Sequence, residues 1–466
     1  MSKVLFFNPP WREYVYNNTN IKTGAPSYPN LTLATLAGSI DKHHEVEIID
    51  LDIINNYYDS LFIKIREFKP DLIAASAKTP EYPIVEEIMT LIKKNYPQVR
   101  TIIGGVHATT RPYDLVEKEC FDIVVIGEGD NVINEILSEQ SIDDVKGLFF
   151  KNKISNKIVY TGNRSLIENI NLLPFPNWKL FDLSKYKNSR LSSRQNPVGH
   201  IETSRGCSFH CNFCNKLTFG TVYREKKPKR VVDEMEYMLS CGFKEIHIAD
   251  DSFTQNIQRA KEICKEIISR KLIFSWSLIN GIRVDKIDKE FLLLAKKAGC
   301  WQIGLGIESG DQNILNTINK KTSLRQIINA VNLIKESKIE SFGFFIFGLS
   351  GETEETMKKT ISFAKKLPLD TAKFDICIPY PGTQYYEELD ANNLIISHNW
   401  QDYSVHQITN QIFSHPNLSW DNIVYYYKRG YREFYFRPLY ILKRFIRDIK
   451  MGDILYEIKY LLTSRW

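Results

Sequence analysis

The feature that most narrows the folds open to this chain is a repeated alternation of short β-rich runs with helical patterns, because strands separated by helices build βαβ units and parallel sheets. It occurs twice. From Lys3 to about Leu137 the runs Val4–Phe7, Glu45–Ile49, Leu72–Ala75, Thr101–Ile103 and Ile123–Ile126 are divided by helical patterns such as Leu31–Asp41, Tyr58–Phe68 and Ile84–Asn95. From His200 the rhythm resumes with Ile201–Thr203, Glu245–Ile248, Phe274–Leu278, Gln302–Gly306, Ser341–Phe347 and Thr371–Ile378, with helical stretches between them. The expected fold class is α/β, with a Rossmann-like (flavodoxin-like) domain over 1–140 and a turn-rich connecting segment over 141–198. A partial (β/α)6 TIM-type barrel over 199–397 and a helical region over 398–466 complete it. A chain of 466 residues is too long for a single core, so several domains are required.

Hydrophobic residues at 43% and charged residues at 25% describe a globular, soluble chain. The first apolar run, Val4–Phe7, is too short for a secretory signal, and no later run reaches the length of a transmembrane segment. A net charge of +6 is too mild to argue for nucleic acid. Eight cysteines with one tight cluster suit metal ligation in a reducing cytoplasm better than a disulfide framework.

That cluster, Cys207, Cys211 and Cys214 in C-x3-C-x2-C spacing, follows the first strand of the second domain. Thiolates are the usual ligands of iron–sulfur clusters, and three of them leave one iron of a [4Fe–4S] cluster open to chelate a methionine moiety. Zinc is the competing occupant, with His210 inside the motif as a further ligand. Cys120, Cys241, Cys264, Cys300 and Cys377 lie singly on strand or helix patterns and read as small core residues.

The motif resembles that of the radical S-adenosylmethionine (SAM) superfamily, and the resemblance extends over most of His200–Glu387. It implies an enzyme that carries its cluster on Cys207, Cys211 and Cys214, takes an electron from an external donor and cleaves SAM to a 5′-deoxyadenosyl radical. By the same resemblance Asp250 and Asp251 face the methionine amine, Arg283 the carboxylate, Glu308 the ribose hydroxyls and Phe213 the adenine. Taken singly, each polar residue has a plainer reading: the aspartates as a helix-cap turn, Arg283 as a surface ion pair, Glu308 as a solvated loop charge.

A Rossmann-like domain ahead of such a barrel resembles the cobalamin-binding branch of that superfamily. Asn8, Pro9 and Pro10, then Leu31, Ser76, Gly104, Gly105, His107, Gly127 and Glu128, match loops that cradle the corrin there. The motif D-x-H-x-x-G, whose histidine ligates cobalt, is absent, since Asp41-Lys-His43 lacks the glycine, so cobalamin is expected to bind without it. The methylthiotransferases carry a second trio of cysteines in this domain, whereas here there is only Cys120. A domain that kept its fold and lost its ligand is the alternative.

The resemblance implies methylation of an unactivated carbon or phosphorus in a small-molecule or lipid-like substrate. Radical cyclisation or rearrangement with the same cofactors is one alternative, and a non-catalytic metal-binding protein is another. The last stretch interleaves rings with cations from Tyr425 to Phe445. It reads either as a helical cap over the barrel mouth, the favoured reading, or as a region of peripheral membrane contact.

Overall fold

The computed structural model describes residues 1–12, 26–138, 141–189, 192–405 and 410–451, without the side chains of 447–451. The first sheet has seven strands: β1 (Lys3–Asn8), β2 (Glu45–Asp50), β3 (Leu72–Ser76), β4 (Arg100–Gly104), β5 (Ile123–Val125), β6 (Leu148–Lys151) and β7 (Ile158–Tyr160). Their order is β2-β1-β3-β4-β5-β6-β7, parallel through β5 and antiparallel beyond it. Val4, Leu5, Phe6 and Phe7 are wholly buried, as a central strand with helices on both faces must be. Connections run in opposite directions from β1 and β3, and open sheets of this kind take ligands outside the carboxyl ends at that switch point.

The expected boundary at 140 falls short. Leu148, Phe149 and Phe150 are buried and extend the same sheet, so the N-terminal unit runs on through Tyr160. Antiparallel edge strands need no crossover helix, and the helical rhythm that marked the earlier units is missing from them.

The second unit contributes β8 (Val198–Ile201), β9 (Ser204–Arg205), β10 (Arg224–Glu225), β11 (Glu245–Ile248), β12 (Ser275–Ile282), β13 (Cys300–Glu308), β14 (Glu340–Phe347) and β15 (Thr371–Ile376). Six are parallel in the order β15-β14-β13-β12-β11-β8, a barrel that does not close on itself, while β9 and β10 form a separate antiparallel ribbon. Side chains of Asn256, Asp288, Ser323 and Thr353 accept from backbone amides at the starts of the helices that return to the sheet, which fixes where each one begins. Along β14 burial alternates: Phe345 and Phe347 are wholly buried, while Phe344 and Ile346 are half-buried.

The helix Trp420–Tyr435 does not cap the barrel mouth. It lies along β15, the edge of the sheet, with Gly430 tight against Phe374. The Tyr435 hydroxyl accepts from the Ala372 amide (3.1 Å) and donates to the Ala372 carbonyl (2.7 Å), so a side chain satisfies the free strand edge. The helix Pro438–Met451 follows, and the remainder of the expected helical region, 452–466, lies outside the described residues. No helix among the described residues is long and apolar enough to cross a membrane.

Candidate active site

The ribbon of β9 and β10 pinches residues 206–223 into one loop, and the three motif cysteines occupy its first half. Gly206 opens the loop at φ 79°, and a Cβ there would lie 2.3 Å from the Val222 carbonyl oxygen, so only glycine fits. Neighbouring turns hold the loop. The Asn212 amide donates to the Ile318 carbonyl (3.2 Å), and the Tyr385 amide donates to the Asn212 carbonyl (3.0 Å). Asn319 Nδ2 donates to the His210 carbonyl (2.9 Å), and Asn215 Nδ2 to the Pro381 carbonyl (2.9 Å). The Arg283 guanidinium stacks 3.8 Å from the Phe209 ring.

Cys207 and Cys211 are half-buried and Cys214 is exposed. Burial nevertheless pushes the Cys214 thiol up to about 12, with Cys211, Asp251 and Cys207 pushing the same way against Lys216. Cys207 is also raised, by burial first and then by Asp251 and Cys211. Thiolates that repel one another and a neighbouring carboxylate need a cation to stay ionised, which is the chemistry of a cluster site. Among the described residues no trio of His, Cys, Asp or Glu is closed around one point, so the fit rests on this mutual influence. His210, the fourth ligand a zinc site would use, has an exposed side chain.

Asp250 differs from its expected role. Its carboxylate accepts from the Thr203 amide (2.5 Å), Thr203 Oγ1 (2.5 Å) and Ser204 Oγ (2.6 Å), fastening the root of the cysteine loop to the end of β11. The accessible carboxylate is Asp251, raised by burial and then by Asp250. Arg283 is likewise taken up by protein: it donates to Asp285 (2.9 Å) and to the carbonyls of Lys320 (2.6 Å) and Lys321 (3.1 Å), bracing two loops rather than presenting itself to a ligand carboxylate. Glu308, far from being a solvated charge, is buried at φ 65° and meets Lys320 Nζ at 2.6 Å. Burial opposes the Lys320 charge, but Glu308 and then Cys211 hold it above its usual range. Lys320 thus links Glu308 to the cysteines, and Asn319-Lys320-Lys321 gave no sign in sequence of being more than a solvated turn. Phe213 is half-buried against the core.

In the N-terminal unit Pro9 and Pro10 are buried, and Leu31 and Ser76 are half-buried. Asn8 is occupied, donating to Asp50 (2.7 Å) and accepting from Asn30 (2.7 Å). His107 is a correction: it is wholly buried, stacked 4.4 Å from the Tyr82 ring and edge-on to Trp400 at 5.3 Å, and burial then Arg111 drive its pKa to about 3. It belongs to the core. Gly104 and Gly105 do lie at the carboxyl end of β4, and Gly105 at φ 94° packs where a Cβ would strike Ser76 Oγ at 2.6 Å. Gly127, at φ 75°, has nothing within 4 Å of the place a Cβ would take, so its backbone is open on that side.

Glu128 is a second correction. Its carboxylate accepts from Arg205 (3.1 Å), from Arg224 (2.8 and 2.9 Å) and from the Ile167 amide (2.6 Å), and Asp130 accepts from Arg205 twice (2.8 and 2.9 Å). All four side chains are buried. The loop after β5 therefore grips the ribbon from which the cysteine loop springs, a contact between residues at least 75 positions apart that no local pattern announces.

The family model for the Radical SAM superfamily matches residues 201–364, and that for the B12 binding domain matches residues 19–137. An uncharacterized methyltransferase of Pyrococcus horikoshii is 32% identical over 449 residues, 95% of this chain and 94% of that protein. An anaerobic magnesium-protoporphyrin IX monomethyl ester cyclase of Cereibacter sphaeroides is 30% identical over 89% of this chain and 68% of its own length. Among solved structures, the radical SAM methyltransferase TsrM of Kitasatospora setae, with cobalamin and [4Fe–4S] cluster bound, superposes with TM-score 0.71 at 20% identity, covering 92% of this chain and 91% of that one. The cobalamin-dependent radical enzyme OxsB gives TM-score 0.75 at 18% identity over 99% and 72%. At those identities the superpositions speak for the fold.

Proposed function

The chain belongs to the radical SAM superfamily, in the branch with a B12-binding domain, and from that premise we propose that it methylates an unactivated carbon or phosphorus of a small-molecule or lipid-like substrate. The end-to-end match to a methyltransferase carries the reading. Membership of an enzyme superfamily removes the alternative of a non-catalytic metal-binding protein.

When bound, the cluster supplies the electron that cleaves SAM, and cobalamin carries the methyl group. Cys207, Cys211 and Cys214 would hold the cluster, and the loop's anchors at Ile318, Asn319, Pro381 and Tyr385 fix where they stand. Asp251, exposed beside the Gly206 amide, would meet the methionine amine, and the Glu308–Lys320 pair presents one carboxylate and one ammonium to polar groups of SAM. Phe213 would border the adenine. Gly104 and Gly127 would floor the corrin, while Glu128 and Asp130 set the distance between the two sites by gripping Arg205. An external electron donor and a reducing compartment, the cytoplasm, belong to the same reading, supported by eight cysteines that are all free thiols.

The cyclase relative keeps a second reading open, radical cyclisation without methyl transfer. The test is anaerobic turnover of the reconstituted protein with methyl-labelled SAM and a small-molecule extract. Label in a product together with 5′-deoxyadenosine supports methylation; 5′-deoxyadenosine with an unlabelled, altered product supports cyclisation.

A further inference from the structure

We propose that the helix Pro438–Met451 seats the enzyme on an anionic lipid surface. Helices on the outside of a globular protein turn their apolar side inward, and this one does the reverse. Leu439, Ile441, Leu442, Phe445 and Ile446 are all exposed, Leu439 at 73% and Leu442 at 54%. At 3.6 residues per turn they span an arc of about 160°. Tyr440 lies on the opposite side, and it is the anchor: its hydroxyl donates to the Asp370 carbonyl (2.7 Å), and its ring sits 5.4 Å from Phe434 and 5.5 Å from Tyr435. The helix is thus fixed to the barrel edge by its back, with the apolar arc held outward. Phe436, at 52%, continues that exposed surface toward the preceding helix.

Charge selects the occupant. Lys443 lies beside the arc, and Lys428 and Arg432 are exposed on the preceding helix. Within 438–451 the sequence holds Lys443, Arg444, Arg447 and Lys450 against a single Asp448. A two-fold contact between copies along this helix would add one excess of positive charge to another, which is costly. An anionic bilayer accepts both features at once, rings and aliphatic chains at the headgroup boundary and cations among the headgroups. The arc is a surface contact rather than a span, consistent with the lack of a membrane-length helix among the described residues.

The test is flotation of the full-length protein with phosphatidylglycerol-containing vesicles and with pure phosphatidylcholine vesicles. The proposal requires binding to the anionic vesicles that weakens with salt, and that falls by at least about tenfold in Leu442→Glu/Phe445→Glu. That double variant must elute and melt like the parent, which separates lost binding from lost folding. Failure of the full-length chain to bind, as when 452–466 covers the arc, would overturn the proposal. So would equal binding by the variant, or a parent dimer that the variant dissociates.

Discussion

Gly206 in the barrel and Gly127 in the N-terminal unit are both left-handed glycines just past a strand, at φ 79° and 75°, yet their surroundings are opposite. Gly206 is jammed against the Val222 carbonyl, at the head of a loop tied down by four neighbouring backbone and amide contacts. Gly127 faces open space. The difference teaches what each region is for. Ligands that must share one metal group have to be held at fixed spacing, so the cysteine loop is over-determined. On the proposed function a flat macrocycle needs area without protrusion, which the open backbone at Gly127 suits, while the polar residues His107 and Glu128 turn inward to the core and to the domain contact.

The comparison breaks at its strong end if Cys211→Ala keeps activity. The expected result is complete loss of 5′-deoxyadenosine formation with a fall in bound iron, read by metal analysis after anaerobic reconstitution. Next in size is Arg205→Ala, which strands Asp130 as a buried carboxylate without its cation and leaves Glu128 to Arg224 alone, and should lower stability by about 4 kcal/mol in denaturant titration. Gly206→Ala combines left-handed strain with overlap of a carbonyl and should cost about 3 kcal/mol in the same titration.

The two regions should also differ in the sign of their pH response. Glu352, in the turn after β14, is raised by burial to about 8 from 4.5. Its folded form binds a proton that the unfolded chain releases, so its contribution to stability falls as pH rises from about 4.5 to 8, by at most about 1.4 kcal/mol per pH unit. His107 runs the other way, since its folded pKa of about 3 lies below the ordinary 6.5 and stability is lost as pH falls through that window. Melting curves of Glu352→Gln should lose the fall toward pH 8 and keep the loss in acid. The smallest stability change belongs to Gly127→Ala, about 1 kcal/mol from strain alone. Its sharper readout is cobalamin retained after gel filtration, which should drop while iron content stays at the parent level.

Each parallel strand of both sheets was legible in the sequence because hydrophobic periodicity is local, although β8 begins three residues earlier than the pattern suggested, at Val198 rather than Ile201. The C-x3-C-x2-C motif was legible for the same reason: its spacing is a property of one loop. The edge strands β6 and β7 were not, since nothing in a run of three or four residues between turns states which sheet it joins. Asp250 and Arg283 were found as positions, but their partners, Thr203 and Ser204 in one case and the turn at Lys320 in the other, were not.

The sequence by itself determined the α/β architecture, the order of the two units and the trio of cysteines, because these follow from short-range patterns of side-chain type. Only the tertiary structure decided which charges face one another. Lys320 beside Glu308, Arg205 between Glu128 and Asp130, and the outward arc of Leu439 and Phe445 all depend on where distant segments meet. A buried charge is tolerated only where a partner from elsewhere in the chain reaches it, and that meeting is set by the packing of whole sheets and helices rather than by the residues on either side.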